Sequence, residues 1–450
     1  MNASFVLGID PGKFFFAATL LHSTGERIWK GREFDMSRDG FDKLRCSLPN
    51  GDLTVGIEAS GRIDDNLLAW FGQWKSVCRE RAIKVIRINP GQSARFGGPK
   101  PRRDQTDGSD SDHIAEFTRV YADRLEAFVH DPKAQAMTRL INERQHLVEE
   151  LAATKNRIRE QLLVCFPEFI QIFVDPFAKL ARAVLRKAPT ARQTAQQRPL
   201  SLARVSAGRK ERSLGIEPAH KLIDLAKRSI ASAGEDHDGA AVLFLLDQLD
   251  LLEKRLANMA ETLAAYAAQA KDEIEAVGAQ GVSAARQIQL LDSMPGIAIV
   301  AASTLVLGTR GLARFESGSA LAAQWASCPE RTQTGTSLDK ARLTARGDHK
   351  RRAMLYLSTQ VACMYDPAFA FHKWRMEQRG LCPQQAVCAA MNRMARVAWA
   401  IVATNQTYDV NLMLRQIQIH HTELWKTFVR LHQNNGTLWK NVNLKYKKIA

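Results

Sequence analysis

Along the first ninety positions apolar residues come in short runs bounded by turn formers. Phe5 to Asp10 reads as a buried strand ending in an acid, Phe14 to Leu21 as a second strand after the Pro11-Gly12 turn, and Arg27 to Phe34 as a third completing a meander. Leu53 to Ala59 is again a short apolar strand, with Glu58 near its end. An amphipathic helix over about Asp64 to Trp74 follows, and Ile83 to Ile88 alternates as a strand that stops at Asn89-Pro90-Gly91. Three strands and then alternating helix and strand predict an α/β domain over 1–128. Its last helix opens at Thr106-Asp107-Gly108-Ser109-Asp110-Ser111-Asp112, after a loop rich in Gly, Pro and Arg at 91–105.

From about 136 the period changes to that of long helices. Leu140, Leu147, Leu151, Ile158 and Leu162 fall on one face. Leu245, Leu249, Leu252, Leu256, Met259, Leu263 and Tyr266 alternate four and three residues apart, which is a heptad seam. A helical coiled-coil spacer over 129–285 is expected, pairing with itself or with a second copy. Between the two helices, residues 182–213 carry Arg182, Arg186, Lys187, Arg192, Arg198, Arg204, Arg209, Lys210 and Arg212 against the single acid Glu211, and read as a flexible basic insertion. The stretch 286–410 reads as helices with loops. It opens on Leu290-Leu291-Asp292-Ser293-Met294-Pro295-Gly296-Ile297, the composition of a helix-hairpin-helix-like turn that presents backbone N–H groups to a phosphate. A basic aromatic tail, 411–450, ends the chain; its Trp439 and Tyr446 fit either stacking on single-stranded nucleic acid or an ordinary basic tail.

Charge narrows the partners. The 450 residues carry 63 Lys and Arg against 47 Asp and Glu, a formal net charge of +16, which suits a polyanion. The seven cysteines form no CxxC pair and no zinc spacing, so they read as reduced thiols of a cytoplasmic protein. The uncharged stretch between Asp292 and Arg310 falls short of the ~18 residues of a membrane span.

The acids carry the chemistry. In a sheet of the ribonuclease H type the ends of the first and fourth strands lie side by side, so Asp10 and Glu58 converge with Asp107 and Asp110 at the head of the last helix. Singly, Asp10 can cap a turn and the helix acids can complement a dipole. Glu58 inside Val-Gly-Ile-Glu-Ala is harder to explain that way, because a buried unpaired carboxylate costs several kcal/mol. Four carboxylates in one cleft call for divalent cations, and Mg²⁺ takes carboxylate oxygens while keeping room for water and phosphate. A pair of such ions ~3.5–4 Å apart serves phosphodiester displacement.

Gly8-Ile9-Asp10, Gly56-Ile57-Glu58-Ala59-Ser60-Gly61, Ile88-Asn89-Pro90 and Thr106-Asp107-x-x-Asp110 resemble the RuvC-like DEDD domain of transposases of the insertion sequence one-ten family, which includes Piv-type DNA invertases. Met294-Pro295-Gly296-Ile297, Arg314-Phe315, the stretch Cys328 to Ser337, the stretch Arg342 to Tyr356, Tyr365-Asp366-Pro367 and Arg379-Gly380 are similar to that family's second transposase domain. The resemblance implies a RuvC-like domain, a helical spacer and a mostly α-helical second domain. It implies an enzyme that cuts and rejoins DNA strands with Mg²⁺ on Asp10, Glu58, Asp107 and Asp110, and a hydroxyl nucleophile from the second domain. It also implies a structured guide RNA and a homo-oligomer, dimer or tetramer, as partners. The family's nucleophile is a Ser directly before Gly; here Thr334 precedes Gly335, and Ser337 is the alternative. The basic residues Lys340, Arg342, Arg346, Lys350, Arg351 and Arg352, with His349, fall beside that motif and are expected to neutralise DNA phosphates. Two other functions fit the same residues: a Holliday-junction-type endonuclease that activates water, and an inactive nucleic-acid-binding relic.

Overall fold

A computed structural model describes residues 4–94, 96, 107–125, 127–128, 131–208, 212–231, 236–269, 282–334, 338–343 and 347–440; residues 107–108, 236, 329–334 and 338–342 are described by backbone alone. The chain divides into two compact units, Met1–Lys133 and Ala134–Ala450.

In the first unit β1 (Ser4–Pro11), β2 (Phe15–His22), β3 (Arg27–Asp35), α1 (Arg38–Ser47), β4 (Asp52–Glu58), α2 (Asp65–Val77), β5 (Ile83–Ile88), α3 (Pro90–Ser93) and α4 (Asp107–Tyr121) follow in order. The five strands form one sheet in the order β3-β2-β1-β4-β5. β1 pairs antiparallel with β2 and parallel with β4, and β4 pairs parallel with β5. Strand alternation splits the side chains between two faces. Leu7, Ile9, Val55, Ile57 and Val85 pack with Leu44 of α1 and Leu67 and Phe71 of α2 on one face. Ile86 and Ile88 pack with Ile114 and Phe117 of α4 on the other.

Two glycines let α4 lie close on that second face. A Cβ at Gly8 would stand 2.5 Å from the Ser111 carbonyl oxygen and 2.6 Å from the Ala115 Cα. A Cβ at Gly56 would stand 2.8 Å from the Ile88 Cδ1 and press on the Thr118 hydroxyl. These are the glycines of the Gly8-Ile9-Asp10 and Gly56-Ile57-Glu58 motifs. Their role is steric: they bring a helix backbone against two strands.

The second unit begins with α5 (Pro132–Cys165), a 3-10 turn (Pro167–Gln171), α6 (Lys179–Lys187), α7 (Ala191–Ala195), α8 (Pro199–Ala203), α9 (Ile216–Lys227) and α10 (Asp236–Ala268). α5 and α10 run antiparallel: Ile141 shares a core with Leu263 and Tyr266, and Ile158 and Leu162 share another with Leu245 and Leu249. Gln248 Nε2 donates to Glu150 Oε1 across the pair at 3.1 Å. The expectation of a flexible basic insertion at 182–213 is corrected for its described residues. Val184, Leu185, Ala191 and Leu202 are buried in the core that Leu222 and Leu246 complete. Arg182 bridges Asp250 and Glu253 at 2.7 Å each, and Arg186 bridges Asp247 and Asp250 at 2.6 Å each, so basic residues that look unpaired in sequence meet acids of α10.

α11 (Ala284–Asp292), α12 (Ile299–Gly308), α13 (Gly318–Gln324), β6 (Pro329–Thr334), β7 (Leu338–Leu343), α14 (His349–Tyr365), α15 (Pro367–Gln378), α16 (Pro383–Thr404), α17 (Val410–His420) and α18 (Thr422–His432) complete the unit. α16 is the one helix among the described residues long and apolar enough to cross a membrane. Its Met391, Met394, Ala398 and Val402 are buried with Leu291, Leu305 and Trp325 in the main core. The tail differs from expectation: Trp439 is 6% exposed and packs edge-on against Trp425, so this ring serves the core with Phe428 and Leu438. Tyr446 and the lysines around it lie outside the described residues.

Candidate active site

Asp10 and Glu58 stand one residue past the paired Ile9 and Ile57 of β1 and β4, at the carboxyl ends of neighbouring parallel strands. Parity places both on the α4 side of the sheet, since Gly8 and Gly56 on that side are two residues earlier. Adjacent strands lie about 4.8 Å apart, so the two carboxylates emerge as neighbours at the carboxyl ends of the two central strands. Both residues are half-buried.

α4 brings the remaining acids to this face. Ser111, whose carbonyl lies over Gly8, also shares a 2.9 Å hydrogen bond with the Thr19 hydroxyl on β2. Asp110 is its neighbour and half-buried; Asp107, at the first position of α4, is described by backbone alone. Asp112, the third acid of the run, has a different job. Arg27 Nε donates to it at 2.8 Å, and Lys30 Nζ lies 3.3 Å away, both from β3. Burial raises its pKa, but these cations outweigh burial and hold the carboxyl below its usual range. It anchors α4 to the sheet edge.

Sequence reasoning missed the support around Glu58. Ser93, in the single turn of α3, donates from Oγ to Glu58 Oε1 at 2.5 Å, and His113 Nε2 donates to the Ser93 carbonyl at 2.7 Å. The serine therefore orients the carboxylate while α4 holds the serine. The Asn89-Pro90-Gly91 signal was the available clue, because a turn straight after β5 must fold back beside the end of β4. On the opposite face Asp64 is fully buried, bonded through both oxygens to Arg87 of β5, with Nη2 to Oδ1 at 2.9 Å.

The donors are hard carboxylate oxygens, the set that suits Mg²⁺ and not a soft-ligand metal. Among the described residues no group of three or more His, Cys, Asp or Glu is gathered closely enough to hold a metal. Of the four acids expected to cluster, the structure places Asp10 and Glu58 at the ends of neighbouring strands and Asp110 in the first turn of α4, while the Asp107 side chain lies outside the described residues.

In the second unit Thr334 ends β6, in register with Leu338 of the antiparallel β7; its side chain, and Ser337 altogether, lie outside the described residues. Lys340 pairs in register with Thr332 and Arg342 with Glu330, while Arg346 lies outside the described residues. Lys350 is exposed and 3.6 Å from Glu149, and Arg352 bonds His349 at 2.7 Å. Arg351 departs from the exposed basic row that sequence suggested. Its guanidinium is turned inward, paired with Asp348 and packed where a Cβ on Gly308 would stand 2.5 Å from its Cζ, and burial lowers its pKa to about 10. The expected phosphate-presenting turn is also differently occupied. Gly296 (φ 79°) packs against the backbone of α14, and Asp292, its pKa raised by partial desolvation, accepts from the Ile299 N–H at the start of α12.

Residues 7–167 match a family model described as a transposase of the DEDD type, and residues 288–373 match one described as the transposase IS116/IS110/IS902 family. The chain is 22% identical over 413 residues to an uncharacterised 44.8 kDa protein of insertion element IS116 from Streptomyces clavuligerus, covering 89% of this chain and 95% of that one. It is 23% identical over 411 residues to an uncharacterised 43.6 kDa protein of insertion element IS110 from Streptomyces coelicolor, covering 90% and 95%. A pilin gene-inverting protein of Moraxella bovis is 26% identical over 122 residues, 27% of this chain and 38% of that one.

Proposed function

The chain belongs to the IS116/IS110/IS902 family of transposases, and from that footing we propose that it cuts and rejoins DNA strands using Asp10, Glu58, Asp107 and Asp110 as carboxylate ligands and the Thr334 hydroxyl as nucleophile. The observation that carries the reading is the emergence of Asp10 and Glu58 side by side on the face that α4 covers, with Asp107 and Asp110 in the first turn of that helix. When bound, Mg²⁺ neutralises the carboxylates and the developing charge on the phosphate. Ser93 holds Glu58 in one rotamer, and Asp112 with Arg27 and Lys30 fixes the height of α4 on the sheet. A hydroxyl is a weak nucleophile unless activated, which is why a site built on Thr334 depends on the acids. Lys340, Arg342, Arg346, Lys350 and Arg352 supply positive charge near the nucleophile's strand pair in the chain. A structured guide RNA selects the target and a homo-oligomer brings two DNA sites together; the net charge of +16 and the resemblance in motif order support both.

The test is trapping of a covalent protein–DNA adduct with Mg²⁺ present. An adduct lost in Thr334→Ala and in Asp10→Ala but kept in Ser337→Ala supports the reading. Metal-dependent hydrolysis with no adduct in any variant sinks it in favour of activated water. RNA that co-purifies and restores target choice after nuclease treatment supports the guide.

A further inference from the structure

Far along the chain from the carboxylates, α15, α16 and α17 line two adjoining cavities of about 250 and 300 Å³ that share His372 and Arg393. Arg375, Arg396, His420 and His421 supply the other charged or titratable groups of the lining, and no Asp or Glu is among the lining residues. Among the described residues, none of the three arginines has a carboxylate partner; the ion pair on α15 is Lys373 with Glu377 at 2.7 Å, outside the lining.

Two of the three guanidiniums, those of Arg375 and Arg393, are not simply solvated, while Arg396 is exposed. Arg375 is half-buried, its Nε is buried without a partner, and its terminal nitrogens face imidazoles, His421 Nε2 and, at 3.4 Å, His372 Nδ1. Arg393 is half-buried as well. Burial, with Arg393 and Arg375 adding repulsion, pushes His372 down to about 4, so this ring is neutral at physiological pH. Partly desolvated cations without counter-ions are costly, and an anion that enters the cleft relieves the cost. Guanidiniums match phosphate oxygens in fork geometry, which a carboxylate-free lining leaves open. The one aromatic side chain of the lining besides the imidazoles, Phe371, is 1% exposed, so the cleft offers no ring face on which a base stacks.

We propose that this cleft of the second unit seats a phosphodiester of a nucleic-acid strand. It rests on the transposase reading only for the choice of nucleic acid as ligand, and binding tests it without catalysis. Full-length protein is titrated with fluorescein-labelled duplex DNA and with a labelled RNA hairpin between about 50 and 200 mM salt. Replacing Arg393 and Arg396 by Gln lowers the slope of log affinity against log salt by about one unit for each lost contact on at least one of the two probes, while Arg255→Gln, which removes an exposed charge on α10, leaves it unchanged. Arg396→Gln alone alters an exposed position and keeps the test valid should the double variant fail to fold; a slope lowered by about one unit supports the proposal. An unaltered slope on both probes in a folded variant overturns the proposal, as does an equal loss in Arg255→Gln. Inorganic phosphate that raises the melting temperature of the wild type but not of Arg393→Gln, with the oligonucleotide slopes unaltered, assigns the cleft to free phosphate and also overturns it. Loss of strand transfer in Asp10→Ala with these slopes intact separates the two readings.

Discussion

Replacing Gly8 by alanine puts a methyl carbon into the contact between β1 and α4, 2.5 Å from the Ser111 carbonyl oxygen and 2.6 Å from the Ala115 Cα. Ordinary contact begins at 3.4 Å, and both opposing atoms are backbone, so no rotamer change makes room. α4 must retreat by about 1 Å. Overpacking of this kind costs ~1–3 kcal/mol, offset by a few tenths from the stiffer unfolded chain. The melting temperature of the first unit should fall by roughly 3–10 °C. The larger consequence is functional. Asp110 is adjacent to Ser111, so the displacement moves the head of α4 away from Asp10 and Glu58, and ~1 Å of misplacement in a catalytic constellation costs on the order of 10²-fold in rate. Strand cleavage at saturating Mg²⁺ together with thermal unfolding measures both effects, with Gly436→Ala, where a Cβ meets nothing within 4 Å, as the control. Gly56→Ala should be milder, because one of the opposing groups is the Thr118 side chain and another the Ile88 methyl tip. Gly8→Ala with wild-type melting and cleavage within twofold of wild type would refute the close approach of α4 as the device that positions the acids.

Ser93→Ala frees the Glu58 carboxylate from its 2.5 Å donor, and should raise the Mg²⁺ concentration needed for half-maximal cleavage by about tenfold with little change in melting. Asp64→Ala strands the Arg87 guanidinium in the fold and should destabilise the first unit by about 3–5 kcal/mol in urea titration; an effect under 1 kcal/mol contradicts the burial. Asp366, capping α15 through the Ala368 and Phe369 N–H groups and bonded to the Tyr408 hydroxyl at 2.9 Å, has its carboxyl raised by burial from 3.8 to about 6. The folded state then holds the proton more tightly than the unfolded one, so stability declines as pH rises from about 4 through 6, by up to about 3 kcal/mol. Asp366→Asn keeps the cap acceptor and should remove that decline from the wild-type minus variant difference curve; an unchanged curve refutes the shift.

The strands of the first unit were legible as short apolar runs, with Pro11-Gly12 turning the chain after the first and Asn89-Pro90-Gly91 stopping the last. The period of three and a half residues likewise announced α5 and α10. Local pattern also singled out Asp10 and Glu58, since an acid at the end of an apolar strand is locally anomalous. What one dimension could not express was pairing between remote segments. Arg182 and Arg186 looked like a loose basic insertion because their acids lie more than sixty residues away on α10. Arg351 read as a surface charge because nothing local says that Gly308 leaves a slot for its guanidinium. Trp439 looked like a stacking residue because its partners Trp425 and Phe428 belong to a helix whose docking is not written in the tail itself. Ser93 was invisible for the same reason: a serine acquires a role only when the chain returns it to a carboxylate thirty-five residues earlier. Periodicity and turn chemistry act within a few residues and so appear in the sequence. Burial, counter-charges and the cation-lined cleft between α15, α16 and α17 arise from contacts that exist only once the helices have packed.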